Sequence, residues 1–172
     1  MIGPWQVICY HARILYLSGV FFMPQSLACV YVHLVFSTKQ RQVWLDDSVR
    51  AELHAYIIGI LRELQSPVVQ INSVPDHIHI LFSLGRTLTI SQAVQEIKGS
   101  SSRWIKQRFP HQADFAWQNG YGAFGVSLTE VSAVIHYIAN QSEHHRVVTF
   151  QEEYRQFMLR HNLPLDERYA WD

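Results

Sequence analysis

Val74-Pro75-Asp76-His77-Ile78-His79-Ile80-Leu81-Phe82 is the stretch from which the rest of the fold can be read. Pro75-Asp76 is a turn dipeptide, and an apolar run with two histidines two residues apart follows at once. On a β-strand alternate residues share a face, so His77 and His79 project to one side while Ile78 and Ile80 anchor the other. Two residues of strand rise span roughly 6.5–7 Å, which lets two imidazoles converge on one ion at about 2.1 Å each. The same pair could merely line a half-exposed sheet face. Metal chemistry therefore depends on partners supplied from elsewhere in the chain.

Outward from this stretch, Val68 to Val74 reads as a strand that the histidine strand pairs with as an antiparallel hairpin. Upstream, Leu27 to Ser37 is rich in β-branched and aromatic residues and reads as a buried strand. Asp46-Asp47-Ser48 offers a cap, and Val49, Leu53, Tyr56, Ile57, Ile60, Leu61 and Leu64 recur at helical spacing until Ser66-Pro67 stops the helix. Downstream, Thr89 caps a helix that runs to Phe109 and is closed by Pro110; it contains Gly99-Ser100-Ser101-Ser102, a patch of weak helix formers. Tyr121 to Ser127 reads as a fourth strand after the Asn119-Gly120 turn. Ser127 or Thr129 then caps a helix through Val131, Val134, Ile135 and Ile138, and a further helix spans Phe150 to His161. Strand, helix, strand, strand, helix, strand is the split βαβ order of a ferredoxin-like α+β domain, an antiparallel sheet with helices on one face. The histidines would then look toward the C-terminal helices.

At 172 residues the chain has room for one domain with a proper core. Fourteen acidic and fourteen basic side chains cancel, which argues against a protein held to nucleic acid by bulk charge but leaves room for a local basic patch. Cys9 and Cys29 form no disulfide framework and no Cys-x-x-Cys knuckle, so a reducing cytoplasm is the expected compartment. Residues 1–22 are largely apolar but carry His11 and Arg13, so they offer no clean run of about 20 residues to span a bilayer. Met23-Pro24 looks like a more natural beginning, so 1–22 is expected to be an upstream extension of little consequence, the alternative being an extra strand or helix that covers an apolar surface, and 23–172 the single domain.

Tyr137, Gln141 and His144 are spaced i, i+4 and i+7, one stripe of a helix that puts a phenol and an amide oxygen a turn apart. An amide oxygen is an acceptable hard ligand for a divalent ion. Lys39 and Arg41 follow the first strand, and Lys98, Arg103 and Lys106 lie beside the serine patch; such groups suit phosphate contacts, or simply a solvated face.

Taken together, Pro75-Asp76-His77-Ile78-His79 followed by Tyr137-Ile138-x-x-Gln141 resembles the single-tyrosine HUH transposases, in which a hydrophobic residue separates two histidines. These small insertion-sequence enzymes move single-stranded DNA, and the REP-associated tyrosine transposases are relatives. Val32-His33-Leu34-Val35-Phe36-Ser37-Thr38-Lys39 and Gly120-Tyr121-Gly122-Ala123-Phe124 extend the resemblance, which runs from about Met23 to Glu153. It implies that His77, His79 and Gln141 bind magnesium or manganese and that Tyr137 is the nucleophile on its C-terminal helix. It further implies a 5′-phosphotyrosine link to single-stranded DNA, recognition of a hairpin at the element's end, and a homodimer in which Tyr137 can serve the partner's histidines. A catalytically inactive ferredoxin-like nucleic-acid-binding module, or a domesticated REP-processing protein, is the alternative. The nucleotide hydrolases with a third histidine, and hydrolases with an aspartate in its place, are excluded because residue 81 is leucine.

Overall fold

The structure is a computed structural model that describes residues 27–146 and 148–164. The expectation for residues 1–22 lies outside the described residues, as does the end of the tail.

Four strands form one antiparallel sheet: β1 (Tyr31–Ser37), β2 (Val68–Val74), β3 (His77–Ser83) and β4 (Gly122–Val126), in the order β2-β3-β1-β4. This is the ferredoxin-like arrangement expected. β1 is shorter than the apolar run from Leu27, because its ladder begins where Tyr31 meets Ser83 on one side and Val126 on the other. β4 is shorter by one residue at each end for the same reason, since its ladder with β1 runs from Gly122 opposite Val35 to Val126 opposite Tyr31.

Two helices follow their sequence signals closely. In α1 (Asp47–Glu63) the Asp46 carboxylate accepts from the backbone N–H groups of Ser48 and Val49. In α2 (Ile90–Arg108) Thr89 and Gln92 form a reciprocal capping box. Both helices pack on the face carrying Val32, Leu34, Phe36, Ile78, Ile80 and Phe82, giving an apolar core with Val49, Leu53, Ile57, Leu61, Ile97 and Ile105. The serine patch in α2 is explained by Ser101. Its buried hydroxyl donates back to the Ile97 carbonyl at 2.5 Å and accepts from the Trp117 indole at 2.9 Å.

The opposite face is covered by α3 (Val131–Ala139), α4 (Gln141–His144) and α5 (Phe150–Arg160). Glu130 is the N-cap residue of α3 and makes no side-chain cap, so neither Ser127 nor Thr129 caps it; their hydroxyls bond each other at 3.0 Å instead. The helix expected to continue past Tyr137 breaks at Asn140. The break has a cause in β2: the Asn72 amide donates to the carbonyls of Ile138 and Ala139 at 2.9 and 3.1 Å, satisfying the end of α3. Asn72 is the register partner of His79, so this clamp ties the tyrosine helix to the histidine hairpin. Gly122 also tightens this side, since a Cβ there would fall 2.9 Å from the Phe124 ring and 3.0 Å from Val35. Among the described residues no helix is long and apolar enough to cross a membrane.

Candidate active site

His77 and His79 leave β3 on the face away from the apolar core, and both are almost completely buried beneath α3–α5. Each imidazole is held from behind. Nδ1 of His77 lies 2.6 Å from the Asp76 carboxylate, whose other oxygen takes Arg41 through Nε at 3.0 Å and Nη2 at 2.5 Å. Nδ1 of His79 lies 3.0 Å from Nε2 of His33, across the β1–β3 ladder. Both Nε2 atoms therefore turn toward one point under α5.

Glu153 of α5 reaches that point. Its Oε2 stands 3.5 Å from Nε2 of His79, 3.5 Å from Nε2 of His145 and 3.9 Å from Nε2 of His77. The His77 and His145 nitrogens are 2.9 Å apart. The ligand atoms of His77, His79, His145 and Glu153 all fall within 4.8 Å of one another. Four donors at about 2.1 Å from a tetrahedral ion would be separated by roughly 3.4 Å; the spacings from Glu153 to His79 and His145 are 3.5 Å, while that between His77 and His145 is shorter at 2.9 Å and that from Glu153 to His77 longer at 3.9 Å. Nε2 of His79, Oε2 of Glu153, Oε1 of Gln141 and the hydroxyl of Tyr137 are buried without a hydrogen-bond partner. Buried polar atoms are rarely orphaned, and several orphans around one spot are what a cation site leaves. The donor set fits a divalent ion.

Electrostatics agree with the geometry. Burial pushes the Glu153 carboxyl up to about 8, with the Asp76 charge adding to it. Burial lowers His145 to about 4 and holds His79 well below the usual histidine range, leaving neutral imidazoles suited to metal ligation. Burial lowers His77 too, opposed by the Asp76 carboxylate. Asp76 is itself brought to about 2, because hydrogen bonds and charge from His77 and Arg41 overcome its own burial.

Tyr137 sits beside the histidine pair, its ring centroid 5.9 Å from His79, 6.1 Å from His33 and 5.3 Å from His144. Gln141 enters through the carboxylate, donating to Oε1 of Glu153 at 3.2 Å, and its own oxygen stays unpartnered. The helical stripe of Tyr137, Gln141 and His144 thus converges on the site despite the break at Asn140. The basic residues do not converge with them. Arg41 borders the site through Asp76, and Lys39 is exposed at the end of β1. Lys98 donates to the carbonyls of Gln118, Asn119 and Gly120 at 2.9, 3.3 and 2.6 Å, and burial lowers its ammonium to about 8. Arg103 and Lys106 are exposed on α2, across the sheet.

Sequence reasoning missed His145 and Glu153 as site residues. A signal for Glu153 was present: it falls on the stripe of Phe150 and Phe157, and a carboxylate on the apolar side of a helix needs a partner.

The family profile described as "Transposase IS200 like" matches residues 26–141, a span that holds His77, His79, Tyr137 and Gln141 but ends before His145 and Glu153. No curated protein sequence matches the chain. Among solved structures, a candidate transposase from Deinococcus radiodurans R1 is similar at 25% identity and a TM-score of 0.58, covering 71% of this chain and 98% of that one. A REP-associated tyrosine transposase bound to a REP hairpin shares the fold at 16% identity and a TM-score of 0.52, covering 76% of each chain. With the profile covering most of the domain, the chain belongs to the IS200-like transposases, the single-tyrosine HUH family that its histidine and tyrosine motifs resemble.

Proposed function

We propose that this transposase cuts and rejoins single-stranded DNA through a 5′-phosphotyrosine at Tyr137. The observation that carries the reading is the placement of the Tyr137 hydroxyl. It is buried, without a hydrogen-bond partner, on the helix clamped against the His77–His79 hairpin. A phenol with an ordinary pKa near 10 is a poor nucleophile at neutral pH, so the attacking oxygen must be oriented and its developing charge offset. Attack on phosphorus forms the tyrosyl ester and breaks the bond to the 3′ oxygen. The phenol loses one proton and the departing hydroxyl gains one. The ester conserves the energy of the broken bond, so the free 3′-hydroxyl can reverse the step without a nucleotide cofactor.

His77, His79, His145 and Glu153 would hold the divalent ion, with the Gln141 oxygen at its edge; the ion would supply Lewis-acid polarisation of the phosphate. Magnesium or manganese is the family's expectation, and three imidazoles with one carboxylate favour manganese over magnesium. Asp76 holds the His77 imidazole, and Phe150 and Phe157 are buried together in the apolar cluster of α5. For DNA, the exposed Lys39, Arg103 and Lys106 offer positive charge, whereas Arg41 is paired with Asp76 and Lys98 already satisfies three carbonyls. The hairpin-bound relative supports a DNA hairpin as the partner.

The test is adduct formation on single-stranded DNA carrying a hairpin. The wild-type protein should give a metal-dependent covalent adduct, and Tyr137→Phe should give none while binding the same DNA. An adduct in the Phe variant, mapped to another residue, would sink Tyr137 as nucleophile. A homodimer belongs to the same proposal, because β2 and β4 are the edge strands of the sheet among the described residues, and sheet edges invite pairing. Mixing Tyr137→Phe with His77→Ala chains should restore cleavage if subunits exchange tyrosine helices. A protein that sediments as a monomer and still cleaves would remove the dimer.

A further inference from the structure

His33 lies in the Val32–Lys39 motif, yet no part of the reaction described above uses it chemically. It is 3% exposed at the centre of β1, with its ring 5.2 Å from that of His79 and 5.3 Å from Phe157. Apolar or aromatic residues flank it, including Phe124 at 6.4 Å and Tyr137 at 6.1 Å. A histidine in such a place needs a hydrogen bond, and the contact between its Nε2 and Nδ1 of His79 at 3.0 Å provides one.

That contact constrains the proton. Two neutral imidazoles joined through Nε2 and Nδ1 share one N–H between them. If Nε2 of His33 carried it, Nδ1 of His79 would be the acceptor, and the His79 proton would sit on Nε2, the atom facing Glu153. That atom would then have no lone pair for a cation. If instead Nδ1 of His79 donates, Nε2 is left with its lone pair pointing into the cluster of His77, His145 and Glu153. His77 is arranged alike by a different group, since a carboxylate fixes its Nδ1. The two histidines thus have separate keepers, Asp76 in the turn and His33 on the neighbouring strand.

We propose that His33 is a positioning residue of the metal centre: it accepts the Nδ1 proton of His79 and so fixes the tautomer and ring plane that aim Nε2 at the cation. The proposal rests on the metal-binding reading above. Ligand-orienting partners of this kind typically change metal affinity by about 10–100-fold when removed.

The experiment is a titration of the metal-free protein with Mn2+, followed by calorimetry, on the wild type, His33→Phe and His33→Gln. Phenylalanine keeps the ring volume and removes the acceptor; glutamine places an amide oxygen near the lost Nε2. His33→Phe should bind Mn2+ about 10–100-fold more weakly, at a temperature where a thermal melt shows the metal-free variant folded. His33→Gln should recover most of the affinity. In 15N-histidine-labelled wild-type protein without metal, the imidazole shifts of His79 should show a protonated Nδ1 and a bare Nε2. Wild-type affinity in the Phe variant, or a protonated Nε2 on His79, overturns the proposal. If the Phe variant does not fold, the labelled wild-type spectrum decides alone. A wild type that binds no Mn2+ refutes the metal reading instead, and the tautomer measurement needs no metal.

Discussion

The two faces of the central sheet are built from the same strands and do opposite things. One face presents Val32, Leu34, Phe36, Ile78, Ile80 and Phe82 to α1 and α2, and the packing there is mainly apolar, with the Ser101–Trp117 hydrogen bond inside it. The other presents His33, His77 and His79 to α3–α5, where apolar side chains such as Phe150 and Phe157 surround a polar cluster. Strand alternation makes this division possible: a single residue of slip would exchange the faces and destroy both. Stability is concentrated on the first face. The second gives up stability to keep Nε2 of His79, Oε2 of Glu153, Oε1 of Gln141 and the Tyr137 hydroxyl buried without hydrogen-bond partners.

Breaking the apolar face should cost most. Phe82→Ala removes a fully buried ring and should destabilise the protein by about 3–5 kcal/mol, read from denaturant melts. A loss under about 1 kcal/mol would mean that this face is not the main source of stability.

The histidine face should show itself through pH. Without metal, His33 and His145 are depressed to about 4 from 6.5, so the stability they contribute is present above 6.5 and is lost as pH falls toward 4. Glu153 is raised to about 8 from 4.5, so its contribution is full below 4.5 and is lost as pH rises toward 8. Between 4.5 and 6.5 the histidines outnumber the carboxylate and stability climbs; above 6.5 only the carboxylate titrates and stability falls. The chelated protein should therefore be most stable near pH 6.5, losing on the order of 2 kcal/mol by pH 8. Glu153→Gln should flatten that decline, as should added Mn2+, which keeps the carboxylate ionised at no cost. A thermal midpoint that keeps rising from pH 6.5 to 8 without metal would contradict this picture of the cluster.

A smaller effect should separate orientation from packing. Asp76→Ala releases Nδ1 of His77 and the Arg41 side chain but leaves the apolar face untouched. Mn2+ affinity should fall about 10-fold, and the midpoint of the metal-free protein should fall as well, because the ion pair that holds Asp76 at about 2 is lost. A large midpoint shift with unchanged affinity would make Asp76 a structural turn residue only.

Much of the first face was legible without coordinates. Period-two alternation in the β3 segment, helical spacing in α1, and the caps at Asp46 and Thr89 are local signals, and local sterics and hydrogen bonding realised them within a residue or two; the apolar enrichment that marked β1 located the strand but not its start, which lies four residues later at Tyr31. The His77–His79 pair was legible for the same reason, because it lies within one strand; Tyr137 and Gln141 are only four residues apart, so their spacing brought them together even though the helix breaks between them at Asn140. What the sequence could not determine was which separate elements meet. That His145 and Glu153 join the histidines, that His33 stands behind His79 at a separation of 46 residues, and that Asn72 ends the tyrosine helix all depend on how α3–α5 fold back across the sheet. Such contacts carry no periodic signature, since they arise from packing between segments distant in the chain. Lys98 makes the same point in reverse: its charge suited a phosphate in the sequence, and only tertiary packing turned it inward onto three carbonyls.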